Sequence, residues 1–95
     1  MSSNPSGGAG SYKLQIKESA VKELESLGTK KDRERIVTRI NALAADPRPS
    51  GSEKLEGEDN KYRVRQGNYR IVYSIDDRSR VVVITKIGDR KEVYR

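Results

Sequence analysis

The sequence predicts an α+β domain: a small, twisted, mostly antiparallel sheet in the order β-α-α-β-β-β, with a helical hairpin packed on one face. Three observations carry this expectation. Apolar residues recur at helical spacing between positions 19 and 46. From Lys61 onward the period changes to two. The later strand-like runs are separated by turns so short that consecutive strands must pair antiparallel.

Residues 1–11, MSSNPSGGAGS, can bury almost nothing and read as a flexible tail or a cloning remnant, leaving residues 12–95 as the folded domain. Tyr12 to Lys17 alternates and presents Tyr12, Leu14 and Ile16 to a core. Ser19 is placed to cap a short helix whose Ala20, Leu24 and Leu27 fall at i, i+4 and i+7, with Gly28 as its stop. Thr29 and Asp32 form a capping pattern for the next helix, which shows Ile36, Val37, Ile40, Leu43 and Ala44 on one stripe. Asp46-Pro47 ends that helix, because a residue before proline is pushed out of the α region. A loop with Pro47, Pro49, Gly51 and Gly57 follows, interrupted by a short ordered element at Lys54–Gly57.

Tyr62 to Arg65 is a strand, Gln66-Gly67-Asn68 a hairpin turn, and Tyr69 to Ile75 the next strand. Asp76-Asp77-Arg78-Ser79 turns the chain again. Arg80 to Ile87 is apolar at successive positions, which suits a central strand covered on both faces, and Gly88 is expected to break it. Lys91 to Tyr94 reads as a last short strand or an extended tail.

Composition narrows the chemistry. The 95 residues suffice for one domain, with 33% hydrophobic and 36% charged side chains. Cys and His are both absent, which excludes disulfides, thiol catalysis, thiolate metal sites and the commonest general base. No run approaches the roughly 18 apolar residues of a membrane span, and no signal peptide is evident. A reducing, cytoplasmic setting is expected. There is no Gly-rich phosphate loop, no carboxylate cluster spaced for a metal and no basic recognition helix, so neither metal nor cofactor is expected.

The net charge of +6 is unevenly placed. Residues 1–60 hold 10 basic and 10 acidic side chains, whereas residues 61–95 hold 10 basic and 4 acidic. Such asymmetry points to a polyanion, nucleic acid before a membrane surface; a solvated face gives the same count. Alternation sharpens the choice. If Tyr62, Val64, Tyr69, Ile71, Tyr73 and Ile75 share the core face, then Arg63, Arg65 and Arg70 converge on the other. Gathered guanidiniums repel one another unless an anion binds, and phosphate matches their planar fork of donors. Arginine stems lying over a sheet would show the same spacing, but the coincidence with the charge excess favours phosphate. In the closing segment Glu92 reads as a surface ion-pair partner and Lys86 as a strand-edge cation. Tyr94 suits base stacking, proton transfer or plain strand-end packing.

Over residues 12–95 the chain resembles the RelE/ParE superfamily of toxins from toxin–antitoxin pairs. The marks are YKLQIKESAVKELESL at the start, KLEG at 54–57, YRVRQGNYRIVYSI at 62–75 and IGDRKEVYR at 87–95. They look more like the RelE branch than the ParE branch, which acts on DNA gyrase. The resemblance implies a ribosome-dependent mRNA interferase that enters the A site and cuts the codon there. The RNA 2′-hydroxyl attacks the adjacent phosphate without a metal and leaves a 2′,3′-cyclic phosphate. On the matching positions Arg70 would bind and stabilise the phosphate, and Arg63 and Arg65 would act as base or charge stabiliser. Arg90 falls on the arginine of the C-terminal motif, and Tyr94 on its stacking or proton-transferring tyrosine. Lys54, Lys61, Lys86, Lys91 and Arg95 are the expected RNA-binding cations around them.

Two departures stand out. Some relatives carry Lys where Arg63 and Arg65 stand, and others carry His where this chain has Asp89. The resemblance also implies a small acidic antitoxin of RelB type, the ribosome and mRNA as partners, and no membrane; an oligomeric toxin–antitoxin complex is left open. Two other readings remain: a ParE-like toxin binding gyrase, and an RNA- or antitoxin-binding module without activity.

Overall fold

The structure, a computed structural model, describes residues 11–57 and 60–89. The expected tail (apart from Ser11) and the expected strand at Lys91–Tyr94 lie outside these residues. Strand β1 (Lys13–Ile16) leads into helices α1 (Glu18–Glu25) and α2 (Lys30–Ala45). Strands β2 (Glu53–Lys54), β3 (Lys61–Gln66), β4 (Tyr69–Asp76) and β5 (Val81–Asp89) follow. They form one five-stranded sheet in the order β1-β5-β4-β3-β2. β2 through β5 pair antiparallel, as the short turns require. β1 instead lies parallel to β5, from Lys13 opposite Val81 to Ile16 opposite Ile84. Local alternation shows the faces of β1 but not the neighbour it takes, so this pairing has no signal in the sequence.

One face of the sheet carries the core. Ala20 of α1 and Ile36, Ile40 and Leu43 of α2 pack on Val64, Ile71, Tyr73, Ile75, Val82, Ile84 and Ile87. The α2 stripe is narrower than the sequence suggests: Ile36, Ile40 and Leu43 are fully buried, while Val37 is 40% exposed. Val37 lies about 100° round the helix from Ile36 and faces away from the sheet. Ile16 is also exposed, at the last position of β1 where the chain leaves for α1.

The helix ends differ in how they are held. Thr29 caps α2 as the sequence indicates, its Oγ1 accepting from the Asp32 N–H at 3.1 Å. Ser19 does not cap α1. The helix starts two residues earlier than a Ser19 cap would give, at Glu18, with Lys17 at the cap and no side-chain acceptor there. Gly28 is not the stop either: α1 ends at Glu25, where Ser26 donates to the Glu23 carbonyl at 3.0 Å. Arg33 then donates to the Leu27 carbonyl at 2.9 Å, so α2 itself satisfies the end of its partner.

β5 departs from simple alternation. Val72 pairs with Lys86 but Tyr73 pairs with Ile84, so Thr85 is an extra residue in β5, a β-bulge. Its hydroxyl donates to the Val72 carbonyl at 3.2 Å. The bulge changes parity, and Val82, Ile84 and Ile87 therefore all face the core. This accounts for part of the unbroken apolar run; Val81 and Val83, on the other face, are only half-buried. Gly88 does not break the strand. It is buried opposite Arg70, and the ladder runs on to Asp89 opposite Tyr69.

Beyond Ile84, β5 has no paired neighbour in β1. Glu23 of α1 covers that edge, accepting from the Ile87 N–H at 2.8 Å and pairing with the Lys86 ammonium at 3.0 Å. At the opposite end of the sheet Arg48 grips Asp77 through both terminal nitrogens, at 3.3 and 2.9 Å. Tyr12 donates to the same carboxylate at 2.7 Å, and Arg48 Nε donates to Tyr62 Oη at 3.2 Å.

Candidate nucleic-acid interface

The arginines take their positions from the β3–β4 register. Val64 faces Ile71 and Tyr62 faces Tyr73 on the core side. Arg63 opposite Val72 and Arg65 opposite Arg70 therefore lie on the side away from the packed helices. A two-residue turn at Gly67-Asn68 fixes this register, and Gly67 supplies the positive φ of 61° that it needs. Arg70 is 1% exposed, Arg65 is exposed and Arg63 is partly covered.

The three guanidiniums share a cavity of about 390 Å³ with Arg39, Gly51 and Glu53. Arg39 comes from α2 and Gly51 from the loop before β2. β2 pairs with β3 at Tyr62 and Arg63, and among the described residues Val64 to Gln66 have no ladder partner on that edge. Arg39 Nε is buried, with no hydrogen-bond partner among the described residues. Among the described residues, Glu53 is the one carboxylate in the lining. Arg63 Nε donates to its Oε1 at 2.8 Å. That hydrogen bond and the Arg63 charge hold the carboxyl below its ordinary range, and the fields of Arg70 and Arg65 add to the effect. The site thus concentrates positive potential at one place.

Its chemistry follows. Guanidiniums stay protonated above pH 12, so they bind and stabilise anions and do not exchange protons at neutral pH. Four converging forks suit a tetrahedral phosphate, and suit a pentacoordinate phosphorane with its extra charge still better. A larger concavity of about 520 Å³ runs along α2, lined by Lys31, Glu34, Arg35, Thr38, Arg39, Ala42 and Gln66. It mixes signs, and Arg63, Arg65 and Arg70 are not in its lining.

The other expected cations are dispersed. Lys61, opposite Ser74, shares the arginine face farther along β3. Lys54, opposite Tyr62, is exposed and outside the cavity lining. Lys86 is held by Glu23 at the far edge. Arg90, Lys91, Tyr94 and Arg95 lie outside the described residues. The sequence did not single out Arg39 or Glu53. Arg39 follows Ile36 by three positions on the flank of the apolar stripe, but nothing local shows that this flank meets β3. Glu53 is one charge in a charged loop until strand pairing sets it opposite Arg63.

Residues 14–94 match the family described as the ParE toxin of the type II toxin–antitoxin system parDE. The mRNA interferase toxin RelE of Escherichia coli (strain K12) is 33% identical over 87 residues, which cover 87% of this chain and 90% of that protein. RelE in the archaeal RelE–RelB complex from Pyrococcus horikoshii OT3 superposes with a TM-score of 0.75 at 33% identity, over 84% of this chain and 96% of its own. The isolated E. coli RelE toxin gives a TM-score of 0.72 at 32% identity, over 87% and 90%. Sequence and fold agree over nearly the whole domain, and the chain belongs to the RelE/ParE superfamily of type II toxin–antitoxin toxins, as a RelE-like member.

Proposed function

We propose that this toxin is an endoribonuclease that enters the ribosomal A site and cuts the mRNA codon there by attack of the RNA 2′-hydroxyl on the adjacent phosphate. The cavity lined by Arg39, Arg63, Arg65 and Arg70 carries the reading. In such a reaction the substrate supplies the nucleophile, and the protein's largest contribution is positive charge placed where the phosphorane becomes more anionic. Arg70 forms the floor, while Arg63 and Arg65 approach from β3. A lining with four cations repels a divalent metal ion, which supports metal-free chemistry. By their match to the C-terminal motif, Arg90 and Tyr94 are assigned to the same chemistry, and Lys54, Lys61, Lys91 and Arg95 to steering RNA, whereas Lys86 is paired with Glu23. An acidic antitoxin peptide finds the same face complementary; the P. horikoshii relative was solved in complex with RelB. The cytoplasm is the setting of these partners.

The test is induced expression with mapping of mRNA 5′ ends. Wild type is expected to give cuts within translated codons, and Arg65→Ala and Arg70→Lys to lose them by about 100-fold. One observation favours a second reading, a toxin that binds gyrase without cutting RNA: residues 14–94 match the family described as the ParE toxin. Intact transcripts together with inhibited supercoiling would establish that reading instead.

A further inference from the structure

We propose that Glu53 is the general base of this site, taking the 2′-hydroxyl proton; the inference rests on the ribonuclease reading above. A site of arginines alone binds the phosphate but has nowhere to put that proton at neutral pH. Among the described residues lining the cavity, Glu53 is the only side chain with an ionised oxygen that can accept a proton at neutral pH. The chain has no His, and no Lys stands in the lining. The Glu53 side chain is 56% exposed, so a bound ribose can reach it. Arg63 takes Oε1, and among the described residues no donor takes Oε2. Arg63, Arg65, Arg70 and Arg39 are the charged groups facing it, from β3, β4 and α2. They keep the carboxylate ionised and ready to accept.

The step balances simply. The 2′-O–H proton passes to a Glu53 carboxylate oxygen as the 2′-oxygen bonds to phosphorus. The bond from phosphorus to the 5′-oxygen breaks, and that oxygen leaves as the arginines hold the phosphorane charge and takes a proton from water. Glu53 then returns its proton to solvent. The products are a 2′,3′-cyclic phosphate and a 5′-hydroxyl. A carboxylate serving only as a counter-ion to Arg63 makes the opposite forecast, because its removal frees a cation for the phosphate.

The experiment adds the purified chain to ribosomes programmed with mRNA and follows single-turnover cleavage. Binding is measured separately on a 2′-O-methyl mRNA that cannot be cut. Glu53→Gln is expected to slow cleavage by about 10²–10⁴-fold, with binding unchanged or tighter. It should also abolish the acid limb of the pH–rate profile. Glu53→Asp should restore part of the rate, and Glu56→Gln, at a neighbouring exposed carboxylate outside the lining, should change nothing. Glu53→Gln cleaving at or above the wild-type rate, where wild type cuts, overturns this inference alone. A wild-type chain that cuts nothing overturns the ribonuclease reading and this inference with it.

Discussion

Arg70 shows how one side chain can depend on its whole surroundings. It occupies a strand position whose neighbours Ile71 and Tyr73 are core, and its own side chain is equally buried, yet it faces the other way. Its guanidinium becomes the fixed floor of the cavity, while Arg65 stays exposed at the rim. Charge alone will not replace that fork. Arg70→Lys should fold normally by circular dichroism and still lose most cleavage, because an ammonium cannot bridge two phosphate oxygens in the same plane. Tyr73 lies on the other side of the sheet and answers to stability. Its hydroxyl donates to the Pro47 carbonyl at 2.7 Å and ties the end of α2 to the sheet. Tyr73→Phe should cost about 1 kcal/mol in urea denaturation. Burial pushes the Tyr73 hydroxyl up to about 12. The folded state therefore keeps a proton that the unfolded chain gives up near pH 10. This contribution is complete below pH 10 and is lost as the pH rises toward 12, so alkaline urea titrations will show a smaller loss for Tyr73→Phe, which keeps only the raised Tyr12 and Tyr69, than for wild type.

The elements were legible to the extent that their signals are local. The Thr29 cap, the hairpin turn and the strands on either side of it each rest on a few adjacent residues and stand close to where the sequence places them, except that Gln66 ends β3 and leaves the turn to Gly67-Asn68. Thr29→Ala should lower stability by about 1 kcal/mol, measured by thermal unfolding. The α1 boundaries were not legible, because Arg33 and the Ser26 hydroxyl finish the helix in place of Gly28. The β5 bulge was hidden for a related reason. A run of Val and Ile fits a strand covered on both faces as well as a strand that changes parity at Thr85, and only the partner β4 distinguishes them. The arginine face followed from alternation alone. Its carboxylate and its helix-borne arginine did not, since both arrive through contacts between distant segments.

For the molecule as a whole, the net positive charge falls in residues 61–95, the part of the chain that builds β3, β4 and β5. RNA binding should accordingly weaken steeply with salt, and Arg65→Ala should lower the slope of log K against log salt by about one. The distal end of the sheet is tied by charge too. The Arg48 fork, with the Tyr12 hydroxyl, holds the Asp77 carboxyl below its ordinary 3.8. A carboxyl depressed in this way stabilises the fold above its unfolded value, and that stability is lost as pH falls through the lower folded value. Acid unfolding should therefore begin at higher pH in Asp77→Asn than in wild type, as followed by circular dichroism below pH 4.

The parallel seam between β1 and β5 also governs the order of assembly. Lys13 must wait for Val81, so a nascent polypeptide shorter than that already carries Arg63, Arg65 and Arg70 but lacks the strand that pairs with its first one. Such long-range closure slows collapse to the native state relative to a bundle joined by nearby contacts. The arginines are thus synthesised well before the scaffold that aims them is complete, and the emerging chain carries its charge for a time without the geometry that gives that charge a purpose.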